Sequence, residues 1–243
     1  MDVFGIAARL LASAPVVPDT TPLRPRADRR WELYTEALWA RLEALAEEGS
    51  LYVAWSGTPG TGVTATLATG TAFTNTAGLL TVANTDGVGG KNVIPLALKL
   101  IVTAAGTAST SVHLAHAIDD GNRGSAGTLL TNQNVNMGLP NDTIAQVRFG
   151  VPTIAAPGAN VRYLDRAVLR NQIPIVNDIY VITYAATDQP SGGANLAQAS
   201  ATVISLPAPP IVVAPQKCYV LNEWSPARSA AQAYEAFLLY ALR

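Results

Sequence analysis

The stretch SVHLAHAI, residues 111–118, alternates large apolar side chains with small or polar ones. Every second residue from Val112 to Ile118 falls on one face of an extended chain, and His113 and Ala115 fall on the other, which is the period of a β-strand with one buried face. Short segments of similar character recur between residues 63 and 221. The predicted strands are Val63–Thr69, Leu79–Ala83, Val93–Thr103, Ser111–Ile118, Thr143–Val151, Ile173–Ala185, Ala199–Leu206 and Cys218–Leu221.

The segments between these strands are rich in Gly, Pro, Asn and Thr, as in GTPGTG (57–62) and TDGVGGKN (85–92). No glutamate occurs between Glu48 and Glu223, and glutamate favours helices over strands. About eight strands with turn signals between them, and without intervening helical patterns, predict an antiparallel β-sandwich or jelly roll. We therefore expect a mainly β protein flanked by N- and C-terminal α-helices.

The N-terminal segment, residues 1–50, is predicted to be a helical arm with a Pro-rich linker. Asp28 can cap its main helix and Gly49 can end it. The apolar residues of this helix recur every three or four positions, and they are Trp31, Tyr34, Leu38, Leu42 and Leu45. This apolar stripe can pack either on the chain's own β domain or on a partner.

After this arm, the chain is predicted to form a β domain over residues 51–222 and a C-terminal helix over residues 223–243. In that last segment Ser225 can act as the helix cap and Pro226 suits the first helical position. Tyr234 and Leu238 then lie on one face of the predicted helix.

The chain has 16 basic and 17 acidic side chains, and charged residues make up 14% of it. Typical soluble domains contain about 25% charged residues. A net charge of −1 argues against a nucleic-acid partner, which needs clustered positive charge. The sequence contains no apolar run long enough to cross a membrane and no basic leader, so we expect an intracellular product without a membrane partner. The low charge predicts a homo-oligomer whose surface is covered by other subunits.

Motifs for catalysis or cofactor binding are missing. The Gly-rich stretch at 85–92 departs from the phosphate-loop pattern, and His113 and His116 point to opposite faces of a strand. Asp119, Asp120 and Asp142 form the one acidic group that a hydrolase could use. We expect a protein that is not an enzyme and has no cofactor, catalytic residue or metal site.

Two further stretches are candidate interfaces. The segment Asp119–Asp142 is long for a loop and apolar for a solvated one, and Leu129 and Leu130 are its expected anchors on a neighbouring subunit. Arg162, Arg166 and Arg170 share one face of either a helix or a strand. They are interpreted as a solvated edge or as a docking face for an acidic neighbour.

The stretches at 104–124, 130–138 and 172–186 (AAGTASTSVHLAHAIDDGNRG, LTNQNVNMG and QIPIVNDIYVITYAA) resemble structural proteins of tailed bacteriophage particles. More broadly, residues 60–190 are similar in texture to jelly-roll decoration or cement proteins of phage heads. The resemblance implies a homotrimer in the virion, assembled in the host cytoplasm, with the major capsid protein as a partner and no cofactor. A host-glycan-binding adhesin of the tail or fibre and a cell-wall glycan hydrolase are the alternatives.

Overall fold

The computed structural model describes residues 42–65, 72–107, 111–121, 126–151, 154, 160–170, 174–185, 203–226 and 228–243. The chain divides into two units, Met1–Ala44 and Leu45–Arg243, and only residues 42–44 of the first unit are described. Most of the main helix predicted for the N-terminal arm lies outside the described residues. No helix among those that are described is both long and apolar enough to span a membrane.

Residues 42–47, here α1, are helical, and the predicted stop at Gly49 is confirmed. Gly49 has a φ of 70°, the left-handed conformation in which a residue without Cβ is least strained. Its amide donates to Ala46 O at 3.1 Å, and the amide of Ser50 donates to Leu45 O at 2.8 Å. These two bonds form a Schellman motif, which satisfies the last carbonyl groups of the helix.

The described residues after α1 form strands. In chain order they are β1 (Leu51–Trp55), β2 (Val63–Thr64), β3 (Gly78–Asn84), β4 (Val93–Ala104), β5 (Val112–Asp119), β6 (Thr128–Leu129), β7 (Thr131–Asn134), β8 (Ala145–Val151), β9 (Arg162–Arg170), β10 (Ile179–Tyr184), β11 (Val203–Ala208), β12 (Cys218–Trp224) and β13 (Ala233–Leu242).

These strands form two sheets. Sheet A has the order β11-β10-β4-β13-β1-β7, with β2 paired to β13, and sheet B has the order β6-β8-β3-β12-β5-β9. Strands β10 and β11 are parallel, and the other pairs are antiparallel. The expectation of a mainly β sandwich is therefore confirmed.

The core lies between the sheets because alternate side chains of each strand point inward. In β13 Tyr234, Leu238 and Tyr240 are fully buried, whereas the intervening Phe237 and Leu239 are only partly buried on the outer face. Sheet B contributes Leu114 and Phe149, among others, to the same core.

The predicted C-terminal helix over 223–243 is wrong. Strand β12 extends to Trp224, and β13 pairs with both β1 and β4. Tyr234 and Leu238 are four residues apart, so they share a face in a helix and also in a strand. Ala, Glu and Leu have a high intrinsic helix propensity, but burial of one face of this segment between the sheets outweighs it and favours the strand.

The stretch Asp119–Asp142 is also more regular than expected. It contains the short strands β6 and β7, and residues 122–125 lie outside the described part. Strand β7 pairs with β1 and β6 pairs with β8, so this segment extends both sheets at one edge.

Leu238 provides a test of this core. It pairs with Ala54 and Leu98, and its side chain is inaccessible to solvent. We expect Leu238→Ala to lower the free energy of unfolding by about 2–5 kcal/mol, because a cavity replaces the lost methyl groups. Val203 of β11 is the control, since 61% of it is exposed. Val203→Ala should cost less than about 1 kcal/mol. Equal losses in urea denaturation would contradict the assigned core.

Candidate interaction surface

The outer face of sheet B carries a group of aromatic side chains where β12, β5 and β9 lie together. Trp224 pairs with His113, and their rings stack at a centroid distance of 5.2 Å. Val112 and Leu114, on either side of His113, are buried in the core. Because neighbouring residues of a strand point to opposite faces, His113 and Trp224 point away from the core.

Arg166 of β9 joins this stack. It pairs with Ala115, and its guanidinium lies 5.4 Å from the centroid of the Trp224 ring. Such a cation–π contact is worth about 0.5–1 kcal/mol at an exposed site. The Nη2 atom of Arg166 also donates to His113 Nδ1 at 3.1 Å.

These contacts define the protonation state of His113. Its Nδ1 accepts from Arg166, so Nε2 carries the hydrogen of the neutral ring and donates to Ser111 Oγ at 2.8 Å. Partial burial, and then the charge of Arg166, lower the pKa of His113. The neutral ring therefore holds the guanidinium in place against Trp224.

Phe73 and Tyr163 extend the surface toward solvent. Phe73 makes edge contacts with Tyr163 and Trp224, at centroid distances of 5.5 and 5.3 Å. Phe73 is 43% exposed and Tyr163 is 51% exposed. Phe73, His113, Tyr163, Arg166 and Trp224 are hereafter called the aromatic–arginine surface.

This surface has the composition of an interaction hot spot. Tyr, Trp, Phe and Arg are enriched where proteins bind one another, and Arg binds carboxylates through a planar fork of donors. Within the described residues, no carboxylate pairs with the Arg166 guanidinium. Asp165 accepts a bond from the backbone amide of Arg166 instead. The arginine is thus available to an acidic group of a partner.

The three predicted arginines do not share one face. Register shifts occur in the β5–β9 pair. Arg162 pairs with Ile118, which packs against the core, whereas Arg166 pairs with Ala115, which points away from the core. Arg162 and Arg166 are both exposed. Arg170 pairs with Val112, and its side chain lies outside the described residues.

The other predicted interface residues fall in several places. Leu45 is buried, and Leu42 is partly buried. Leu130 is buried in the core, whereas Leu129 is 54% exposed, so only Leu129 is available to a neighbouring subunit. Trp31, Tyr34 and Leu38 lie outside the described residues.

The acidic residues considered for a hydrolase each bind nearby groups. Asp119 accepts from the amide of Gly121 at 2.7 Å, and the partly buried Asp120 accepts from Asn160 at 2.8 Å. Asp142 accepts from the amides of Ile144 and Ala145 and from Tyr240 Oη at 2.6 Å. No group of three or more potential ligands for a metal occurs within the described residues.

A buried chain of polar rings joins the sheets beneath this surface. His116 Nδ1 lies 2.8 Å from Tyr219 Oη, which lies 2.9 Å from Tyr184 Oη. Burial lowers the pKa of His116 to about 4, although the nearby Asp165 acts in the opposite direction. The folded protein therefore keeps this ring neutral.

This burial predicts a pH dependence of stability. The unfolded chain binds a proton at His116 near the ordinary pKa of 6.5, whereas the folded chain binds it only near 4. Stability present above pH 6.5 is therefore lost as the pH falls toward 4. The loss should reach about 3 kcal/mol, at about 1.36 kcal/mol per pKa unit. In urea denaturation from pH 7 to 4, His116→Gln should remove this component and His113→Gln should retain most of it. An unchanged slope in His116→Gln would contradict the assignment.

A second buried network lies at the start of the β12–β13 connection. Arg228 Nη2 donates to Glu223 Oε1 at 3.1 Å, and both side chains are almost inaccessible. Gln232 bonds to both of them and donates to Tyr234 Oη at 2.7 Å. Burial raises the pKa of Glu223, and the Arg228 charge opposes that shift. The pair holds the connection between two central strands.

Breaking this pair should destabilise the fold more than removing it. Arg228→Met leaves the Glu223 carboxylate buried without a counter-charge, which costs about 3–5 kcal/mol. Adding Glu223→Gln removes that charge, so the double variant should regain most of the loss. Thermal unfolding of the single and double variants makes the comparison. A double variant as unstable as Arg228→Met would show that the charge is not the cause.

Comparison with known proteins identifies no relative of this chain. No family model matches it, nor does any curated protein or solved structure. The strand order and the aromatic–arginine surface are therefore the features that bear on its function.

Proposed function

We propose that the sandwich is a jelly roll extended by additional strands. Eight strands, counted in chain order, are β1, β3, β4, β5, β9, β10, β12 and β13. With these numbered 1 to 8, sheet A contains the order 1-8-3-6 and sheet B the order 2-7-4-5. Neighbours in both series are antiparallel. This is the strand order that two Greek keys produce when they fold over each other.

The other strands are additions at the margins of these two series. In sheet B, β8 pairs with β3 and β6 pairs with β8. In sheet A, β7 pairs with β1 and β11 pairs with β10. The short β2 pairs with β13. None of the additions interrupts the eight-strand order, which supports the proposal.

From this topology we infer that the protein is a non-enzymatic structural protein of a tailed-phage virion. Its proposed role is that of a capsid decoration or cement protein that bridges and stabilises major capsid subunits. The jelly roll is a recurrent architecture of viral capsid proteins. The low charged fraction and the exposed aromatic–arginine surface support a protein that works in contact with others.

A homotrimer is the proposed form of the protein, with the major capsid protein as its second partner. The exposed apolar side chains include Tyr163, Met137 and Val203, which lie on different strands and loops. A monomer would leave these side chains in water, whereas an oligomer on a particle would bury at least part of them.

A host-glycan-binding adhesin is the second candidate, and one observation favours it. Phe73 and Tyr163 present exposed aromatic rings beside the guanidinium of Arg166. Jelly rolls also form lectin domains, and an aromatic ring can stack on the apolar face of a sugar. An adhesin would bind glycans as an isolated protein, whereas a decoration protein needs only its protein partners.

The number of copies per particle distinguishes these functions. In purified particles of the phage that encodes the chain, we expect a fixed ratio to the major capsid protein, measured by quantitative mass spectrometry. A decoration protein that repeats over the head surface should be present in hundreds of copies or in a simple fraction of the shell number. A few copies per particle would favour the adhesin, and absence from the particles would refute a virion role.

The isolated chain offers a control for the adhesin. We expect no saturable binding on a glycan array, and the Tyr163→Ala variant should behave like the original chain there. Glycan binding that Tyr163→Ala abolishes would replace the decoration function with the adhesin.

A further inference from the structure

A second exposed group lies next to α1 and the end of β7. Met137 is fully exposed, and Val135 and Leu139 are 45% and 37% exposed. Glu47 and Glu48 are exposed at the end of α1, directly before Gly49, whose backbone lies against the Leu139 side chain. Neither carboxylate has an ion-pair partner within the described residues. Glu47, Glu48, Val135, Met137 and Leu139 are hereafter called the acidic–apolar edge.

Hydrogen bonds hold this edge in one conformation. Asn134 Nδ2 donates to Gly49 O at 3.1 Å, which joins the end of β7 to the turn after α1. Asn134 Oδ1 accepts from the amide of Asn136 at 2.8 Å, and Asn136 Oδ1 accepts from the amide of Gly138 at 3.0 Å. The exposed Met137 is therefore presented by an ordered turn, so little conformational entropy is lost when a partner covers it.

The acidic–apolar edge and the aromatic–arginine surface lie on opposite sides of the sandwich. Strand β7 ends one side of sheet A and β11 ends the other, five strand spacings away. At about 4.8 Å per spacing this separation is about 24 Å. Strand β9, which carries Tyr163 and Arg166, contacts β11 and is far from β7. One copy of the chain cannot bring the two groups together, whereas two copies can.

The two groups are chemically complementary. The first presents carboxylates and a methionine. The second presents exposed aromatic rings and an arginine that pairs with no carboxylate of the described residues. Methionine sulfur packs favourably against aromatic rings, and carboxylates accept charge-assisted bonds from guanidinium groups. Glu47 and Glu48 are exposed and form no ion pair within the described part of the chain, so a contact at these side chains would break no such pair.

We propose that the acidic–apolar edge of one copy docks on the aromatic–arginine surface of the next copy. Met137 covers the rings of Phe73 and Tyr163, while Glu47 and Glu48 approach Arg166. The contact joins different surfaces of identical chains, so it is heterologous and closes into a ring when the rotation between copies allows it. This inference rests on the proposed homo-oligomer and specifies the contact that builds it.

Charge reversal tests the contact in the full chain. We expect sedimentation velocity at micromolar concentration to show an oligomer for the original chain. Arg166→Glu alone, and Glu47→Arg with Glu48→Arg, should each weaken association at least tenfold because like charges then face each other. The triple variant carries both changes, so opposite charges meet again and the oligomer should return.

Further variants separate the contact from folding defects. Met137→Asp should also weaken association, since it removes the apolar contact at a fully exposed position that has no role in the core. Lys99→Glu is the matched control, because Lys99 is exposed on the outer face of sheet A, 5.5 Å from the Phe237 ring. It should leave the oligomer intact. Circular dichroism should be similar for all of these variants. The thermal unfolding temperature should be lowered slightly only in the variants that carry Arg166→Glu, which lose the contacts of Arg166 with Trp224 and His113.

The outcomes distinguish this contact from the proposed function. The contact would be overturned if the triple variant stays monomeric, or if Arg166→Glu and the double variant of Glu47 and Glu48 associate normally. Either result would leave the homo-oligomer in place. An original chain that is monomeric at micromolar concentration would overturn the contact and the homo-oligomer together. Restoration in the triple variant supports the contact whether or not the protein is later found in phage particles.

Discussion

The insertion of β13 between β1 and β4 is the constraint on which the sandwich depends. Among the described strands, β1 pairs with β13 and β7, so β13 provides the hydrogen-bonded connection from β1 and β7 to the rest of sheet A. Tyr240 of β13 also donates to Asp142 at 2.6 Å and thereby holds the connection between β7 and β8. At the end of the chain, Arg243 and Asn92 exchange backbone bonds. The last strand of the sequence therefore completes a sheet whose other strands come from distant parts of the chain.

The interior strands could be predicted because one buried face gives a period of two, as in SVHLAHAI. Two kinds of strand could not be predicted in this way. The segment that forms β13 fits a helix as well as a strand, because the spacing of Tyr234 and Leu238 is compatible with both, and only its place in the sheet decides between them. The segment that forms β9 is equally ambiguous, because Arg162, Arg166 and Arg170 share one face of a helix and also of a strand. The bulges that shift its register cannot be deduced from that spacing. Of the aromatic–arginine surface the sequence predicts only Arg166, since the contacts of Arg166 with His113 and Trp224 depend on pairing between residues more than fifty positions apart.

The low charged fraction has a further consequence once burial is known. Five of the described carboxylates, those of Asp119, Asp142, Asp178, Glu223 and Glu235, are buried. Asp119 and Asp142 bind backbone amides, and Glu223 neutralises Arg228. The charge left on the surface is therefore smaller than the composition indicates. Fewer charged side chains therefore surround the exposed apolar residues such as Met137 and Tyr163. Such a surface is expected where another protein covers it.

The bulges of β9 determine the chemical character of the candidate interface. In a regular strand the even spacing of Arg162 and Arg166 would put both on one face, and their mutual repulsion would favour a diffuse basic edge. The register shift at His116 and Ala117 sends them to opposite faces, so a single guanidinium lies over Trp224 among apolar rings. That guanidinium is held by an acceptor, His113 Nδ1, which is present only while the histidine is neutral. Burial and the charge of Arg166 both lower the pKa of His113. The stacked arrangement therefore favours the neutral histidine, which is the form that accepts the hydrogen bond from Arg166. The extra residue at the bulge of β9 thus separates Arg162 from Arg166, and it leaves the guanidinium of Arg166 against the aromatic rings.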